Sequence, residues 1–141
     1  MSKILILIAA LFLSESFVCA QTAQDNYNKG LIDAQKNNFT QAISDCTKAI
    51  EISPNFVRGY TLRGIAYHIQ GNFTQAISDY NKAIEIDPKD GYAYYYRAKV
   101  YYQLKEYDKS WTDVHKAETL GYKADKEDSE FLDKLKKASG K

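Results

Sequence analysis

The sequence predicts an all-α fold, a solenoid of three antiparallel helical hairpins followed by one capping helix. Three observations lead there. Residues Asn38 to Ser53 read NFTQAISDCTKAIEIS and Asn72 to Asp87 read NFTQAISDYNKAIEID, identical at thirteen of sixteen positions and offset by 34 residues. A third copy starts 34 further on, where Glu106-Tyr107-Asp108-Lys109-Ser110-Trp111 leads into Val114, Lys116 and Ala117. The 141-residue chain has only two Pro and seven Gly, and its apolar residues recur at helical rather than alternating spacing.

Each copy resolves into two helices. In the second, helix A is predicted over Val57 to Gln70 and helix B over Phe73 to Ile86. Gly71-Asn72 supplies the turn between them, and Asp87-Pro88 stops the hairpin because proline cannot continue a helix. Helix B carries Ala76, Ile77, Tyr80, Ala83 and Ile84 along one face, and the first copy repeats that stripe as Ala42, Ile43, Cys46, Ala49 and Ile50. A lone hairpin cannot bury such a stripe, whereas stacked neighbours can.

These residues resemble the tetratricopeptide repeat family, whose unit follows W-x2-L-G-x2-Y, then A-x3-F, then P. The second repeat matches with Tyr60, Gly64, Tyr67, Ala76, Tyr80 and Pro88, with Arg63 at the leucine. The first keeps Gly30, Ala42, Cys46, Ala49 and Pro54 but has Asn26 and Asp33 at the large positions of helix A. The third keeps Tyr94, Ala98, Tyr101, Val114 and Ala117, with Ser110 for the alanine and no proline. Repeats are placed at 23–56, 57–90 and 91–124. Leu120-Gly121-Tyr122 breaks the last hairpin, and a capping helix carrying Phe131, Leu132 and Leu135 on one side is predicted within 125–138.

Residues 1–20 read as a cleaved secretory signal: a basic start, an apolar run from Ile4 to Leu13, and Val18-Cys19-Ala20 before the cut. That run is too short for a stable bilayer span, so no membrane span is expected after cleavage. Cleavage after Ala20 makes the product periplasmic or secreted. Cleavage ahead of Cys19 with lipidation is the lesser alternative, because Val18 stands where a small residue is wanted. Cys46 then remains alone and reads as a small buried hydrophobe.

Net charge is +1, with lysines interleaved among acids, which argues against nucleic acid as a partner. His68 and His115 lie on different repeats without metal-ligand spacing. No HExxH, CxxC, GxSxG or phosphate-binding glycine loop occurs, so no enzyme, metal or cofactor is expected. The triplets Asn38-Phe39-Thr40 and Asn72-Phe73-Thr74 match the N-glycosylation acceptor and matter only in a host that secretes through an endoplasmic reticulum.

The resemblance implies a concave groove lined by the A helices that receives a peptide or helix. Carried over by position, its face is Tyr27, Leu31 and Ala34, then Arg58, Thr61, Ile65 and His68, then Tyr92, Tyr95, Lys99 and Tyr102. Tyr94, Ala98 and Tyr101 are expected in the core. Chaperone-binding members grip a terminal carboxylate with Lys, Asn and Arg, and the corresponding positions here are Tyr27, Leu31, Leu62, Tyr92 and Tyr96. None matches, so that clamp is expected to be absent. The leading expectation is a non-catalytic adaptor for a protein or peptide. The alternatives are a structural subunit of an envelope complex and a tyrosine-lined binder of a solute or glycan.

Overall fold

A computed structural model describes residues 22–140, the Glu127 side chain excepted; the leader assigned to 1–20 lies outside that span. Among the described residues there are seven helices and no strand. They are α1 (22–35), α2 (Phe39–Ile52), α3 (Val57–Ile69), α4 (Phe73–Ile86), α5 (Gly91–Gln103), α6 (Tyr107–Thr119) and α7 (Lys126–Ser139). The odd-numbered helices α1, α3 and α5 form one layer, and α2, α4 and α6 the other. From α2 to α7 each helix packs on its neighbours in the chain, and α3 also meets α5, while α1 meets α2 where Gly30 faces Cys46.

The turns within the hairpins follow one design. Asn37, Gly71 and Lys105, spaced 34 apart, all adopt left-handed φ, at 61°, 79° and 62°. In each, two amide groups bond back to the helix end: Asn38 to Asp33 and Asn37 to Ala34, Asn72 to Tyr67 and Gly71 to His68, Glu106 to Tyr101 and Lys105 to Tyr102. This pairing satisfies carbonyls that the helix itself leaves open. Glycine serves freely at 71 and asparagine tolerates the conformation at 37, while lysine at 105 carries strain.

The turns between hairpins differ in kind. Ser53 and Asp87, each ahead of a proline, are extended with nearly identical backbone angles. The third repeat lacks that proline. It ends instead on Gly121 at φ 89°, with Tyr122 bonded back to Ala117 and Gly121 to Glu118.

Helices A and B of a repeat touch where the family pattern places small residues. A Cβ on Gly64 would stand 2.7 Å from Tyr80 Cε1, so the fully buried Tyr80 ring occupies the space that glycine vacates. Burying a ring of that size contributes roughly 2–3 kcal/mol. Where the A residue is larger, as at Ala98, the B residues are smaller, Ser110 and Val114, and Ser110 Oγ donates to the Ala98 carbonyl at 2.8 Å. Cys46 fills the equivalent place beside Gly30.

The leucine of the family pattern is replaced by a buried ion pair in two repeats. Arg63 donates through Nε and Nη2 to Asp79 at 2.8 and 2.7 Å, and through Nη1 to Thr47 on the preceding hairpin at 3.0 Å. Arg97 repeats this 34 residues later, with Asp113 at 2.7 Å through both nitrogens and Asn81 at 2.6 Å. Each guanidinium therefore joins three helices. Tyr94 and Tyr101, expected in the core, are instead half-buried beside Arg97, with its guanidinium 5.5 and 5.8 Å from their ring centres. The bulk and charge of Arg97 hold these rings at its edge, while Ala98 alone enters the core.

Candidate functional site

The layer of A helices leaves a groove of about 380 Å³ across α1, α3 and α5. Helical spacing of three and four puts Tyr27 and Leu31 on the groove face of α1, and Arg58, Thr61, Leu62 and Ile65 on that of α3. Tyr92, Tyr96 and Asp90 close it on the α5 side. The Tyr27 ring meets Phe56 edge-on at 5.5 Å and carries the Arg58 guanidinium 4.8 Å above it. Asp90 caps α5 by accepting from the Tyr92 amide at 3.0 Å, and its other oxygen lies 3.3 Å from the Thr61 hydroxyl, whose one hydrogen is shared with the Val57 carbonyl at 3.2 Å. Tyr96 stacks on buried Tyr80 at 6.4 Å, which fixes that wall against the core. Tyr92 is 61% exposed, unusual for so large a ring.

Six of the residues expected in the groove from sequence line this one space: Tyr27, Leu31, Arg58, Thr61, Ile65 and Tyr92. Ala34 instead packs against the core of the first hairpin. The five positions equivalent to a carboxylate clamp, Tyr27, Leu31, Leu62, Tyr92 and Tyr96, also converge here. They present rings and aliphatic carbons, with no cationic side chain among them.

The rest of the α5 face is covered. Tyr95, expected open to the groove, is 1% exposed beneath α7, stacked on Tyr122 at 4.2 Å and edge-on to Phe131 at 5.7 Å. Tyr102 meets the same Phe131 at 5.5 Å. Lys99 forms an ion pair with buried Asp128 at 2.9 Å. Asp128 also accepts from the Tyr122 hydroxyl at 2.7 Å and completes a capping box with Asp125 at the start of α7. Burial opposes the Asp128 charge, but the Tyr122 and Lys99 hydrogen bonds outweigh it and hold the carboxyl at about 2. Burial, then the adjacent Asp128 carboxylate, raises Tyr95, whose hydroxyl makes no hydrogen bond of good geometry among the described residues.

His68, Lys99 and Tyr102 border a smaller notch of about 220 Å³ against Phe131 and Lys134 of α7. Burial lowers the pKa of His68, and the Lys99 charge adds to that. The α7 residues Tyr122-adjacent Asp128 and Phe131 thus share the A-helix face, a role that no spacing rule in the sequence reveals. Asp90 had a local signal, an acid directly before Gly91 at the start of a helix.

Among the described residues no group of three or more His, Cys, Asp or Glu is placed to hold a metal ion. No described helix is long and apolar enough to cross a membrane. Cys46 is buried, and burial pushes its thiol up to about 12.

Family models described as tetratricopeptide repeat match residues 26–56 and 46–78, and one described as TPR repeat matches 66–105. No curated protein matches the chain. Among solved structures, the first TPR of Spaghetti (RPAP3) bound to HSP90 peptide SRMEEVD is similar at TM-score 0.79 and 24% identity, covering 86% of this chain and 96% of that one. The Arabidopsis OM64 TPR domain is similar at TM-score 0.78 and 24% identity, covering 84% and 98%. The TPR2B-domain:pHsp70-complex of yeast Sti1 is similar at 0.74 and 27% identity, covering 85% and 97%. The repeat period, the paired layers and these matches agree: the chain is a tetratricopeptide repeat protein of about three repeats, with an added C-terminal helix.

Proposed function

We propose that this chain is a non-catalytic adaptor whose groove takes a peptide or helix from a partner protein. The observation that carries this reading is the open space between α1, α3 and α5, in which exposed Tyr92 and half-buried Leu31, Ile65 and Tyr96 converge. Aromatic and arginine side chains at the centre of such a concavity supply much of the binding energy in interfaces. Two similar structures were solved with an HSP90 peptide or in a pHsp70 complex, which supports a peptide as ligand. The neutral residues at the clamp positions favour an apolar peptide over an acidic terminus. Export of the mature domain from Gln21, to the periplasm or beyond, belongs to the same proposal and is supported by the leader-like residues 1–20.

The test is a pull-down from native cells with the wild type and an Arg58→Glu/Tyr92→Ala variant. Both positions are exposed, so circular dichroism should show the variant folded. A partner retained by the wild type and lost by the variant is the expected result. Equal recovery by both would remove the groove as the working surface. Amino-terminal sequencing of the native protein should begin at Gln21, and an intact Met1 would overturn the export reading.

A further inference from the structure

We infer that the segment seated in the groove is internal to its protein and carries a large apolar side chain between an acidic and a basic residue. This rests on the groove reading above and adds the chemistry of the ligand.

The inference comes from how charge is laid out around the apolar slot. On the α1 side stands Arg58, exposed, with its guanidinium over the Tyr27 ring and, among the described residues, no carboxylate partner. It sits in the first turn of α3, where the helix dipole disfavours a cation. No carboxylate among the described residues pairs with it, which leaves its guanidinium open to an acidic group from a ligand. On the α5 side stands Asp90. One oxygen accepts from Tyr92 N, the other has only a share of the Thr61 hydroxyl hydrogen, and among the described residues it has no cationic partner. A carboxylate can accept about four hydrogen bonds, so a basic group can still be received there. The Tyr92 amide at the start of α5 fixes its orientation beforehand.

Leu62, Ile65 and Tyr96 line the same space and offer mostly carbon surface to an apolar side chain. A terminal carboxylate would meet one cation and one anion here. An internal segment with opposite charges flanking an apolar anchor satisfies both, and complementary charge fixes register as well as partner choice.

The experiment is fluorescence binding of the full chain to peptides blocked at both ends. A central leucine, phenylalanine or tyrosine is flanked by every combination of Asp, Ala and Lys, and one further probe ends in a free acidic carboxylate. The acidic–apolar–basic probe should bind best. Arg58→Glu should weaken it about threefold to fivefold and transfer preference to a probe with the acid replaced by lysine. Asp90→Asn, which keeps the helix cap, should remove the preference for the basic residue alone. Apolar probes bound with indifference to flanking charge would overturn this inference and leave the groove reading intact. Stronger binding of the free-carboxylate probe would also overturn it. Failure of every probe to bind would overturn both.

Discussion

Replacing Arg63 with leucine restores the residue of the family pattern, yet the structure predicts a loss of stability. Asp79 has a side chain only 7% exposed, and its two oxygens are held by Arg63 at 2.7 and 2.8 Å. Removing the guanidinium strands that carboxylate, and breaking a buried pair from one side costs about 3 kcal/mol or more. The leucine recovers about 1 kcal/mol by burying its own carbons. The net loss is about 2 kcal/mol, or about 8 °C in Tm for a domain of this size. Asp79→Ala leaves Arg63, whose side chain is 18% exposed and closer to solvent, and should cost about 1.5 kcal/mol. The double variant should lie within about 1 kcal/mol of the wild type, because both charges leave together. Urea denaturation of all four proteins measures the coupling, expected to be at least about 2 kcal/mol. Strictly additive single losses would refute the reasoning. Exposed Lys29 occupies the same repeat position without an ion pair to Asp45 among the described residues, so Lys29→Leu should change stability by less than about 0.5 kcal/mol.

Further outcomes follow from single groups. Tyr80 buries a hydroxyl with no hydrogen-bond partner among the described residues, so Tyr80→Phe should raise stability by about 1 kcal/mol in the same denaturation assay, and a loss of that size would contradict the packing described. Asp128 has its pKa depressed from an ordinary 3.8 to about 2, so its contribution is present above pH 4 and lost as pH falls through 2. That contribution is about 2 kcal/mol. Trp111 donates to Ser139 of α7, so its fluorescence should report α7 loosening over that window, and Asp128→Asn should abolish the acid step. In a Cys19→Ser chain, Cys46 with its thiol near 12 should react with a thiol reagent at pH 8 about a hundredfold faster once unfolded; equal rates would contradict its burial.

The repeat was legible because nearly identical segments 34 residues apart must adopt nearly identical structures, and Gly64 opposite Tyr80 could be read from the family pattern. The ion pairs were not. Arg63 and Asp79 are sixteen residues apart on different helices, so no single-helix periodicity connects them. The groove was legible for Tyr27, Leu31, Arg58, Thr61, Ile65 and Tyr92, since spacing on one helix fixes a face. It failed at Tyr95, which shares the face of Tyr92 but lies under α7. Where a helix lands after a loop depends on contacts such as Lys99–Asp128 and Tyr95–Tyr122, and these exist only once the chain has folded.

The central claim is that a partner segment occupies the space between α1, α3 and α5. It is tested most directly by photocrosslinking in native cells, with benzoylphenylalanine in place of Tyr92 in one chain and of Ser78, exposed on the α4 surface, in another. The account predicts a discrete adduct from position 92, competed by the acidic–apolar–basic peptide, and none from position 78. Adducts from position 78 with none from position 92 would place the working surface on the opposite layer and contradict the account.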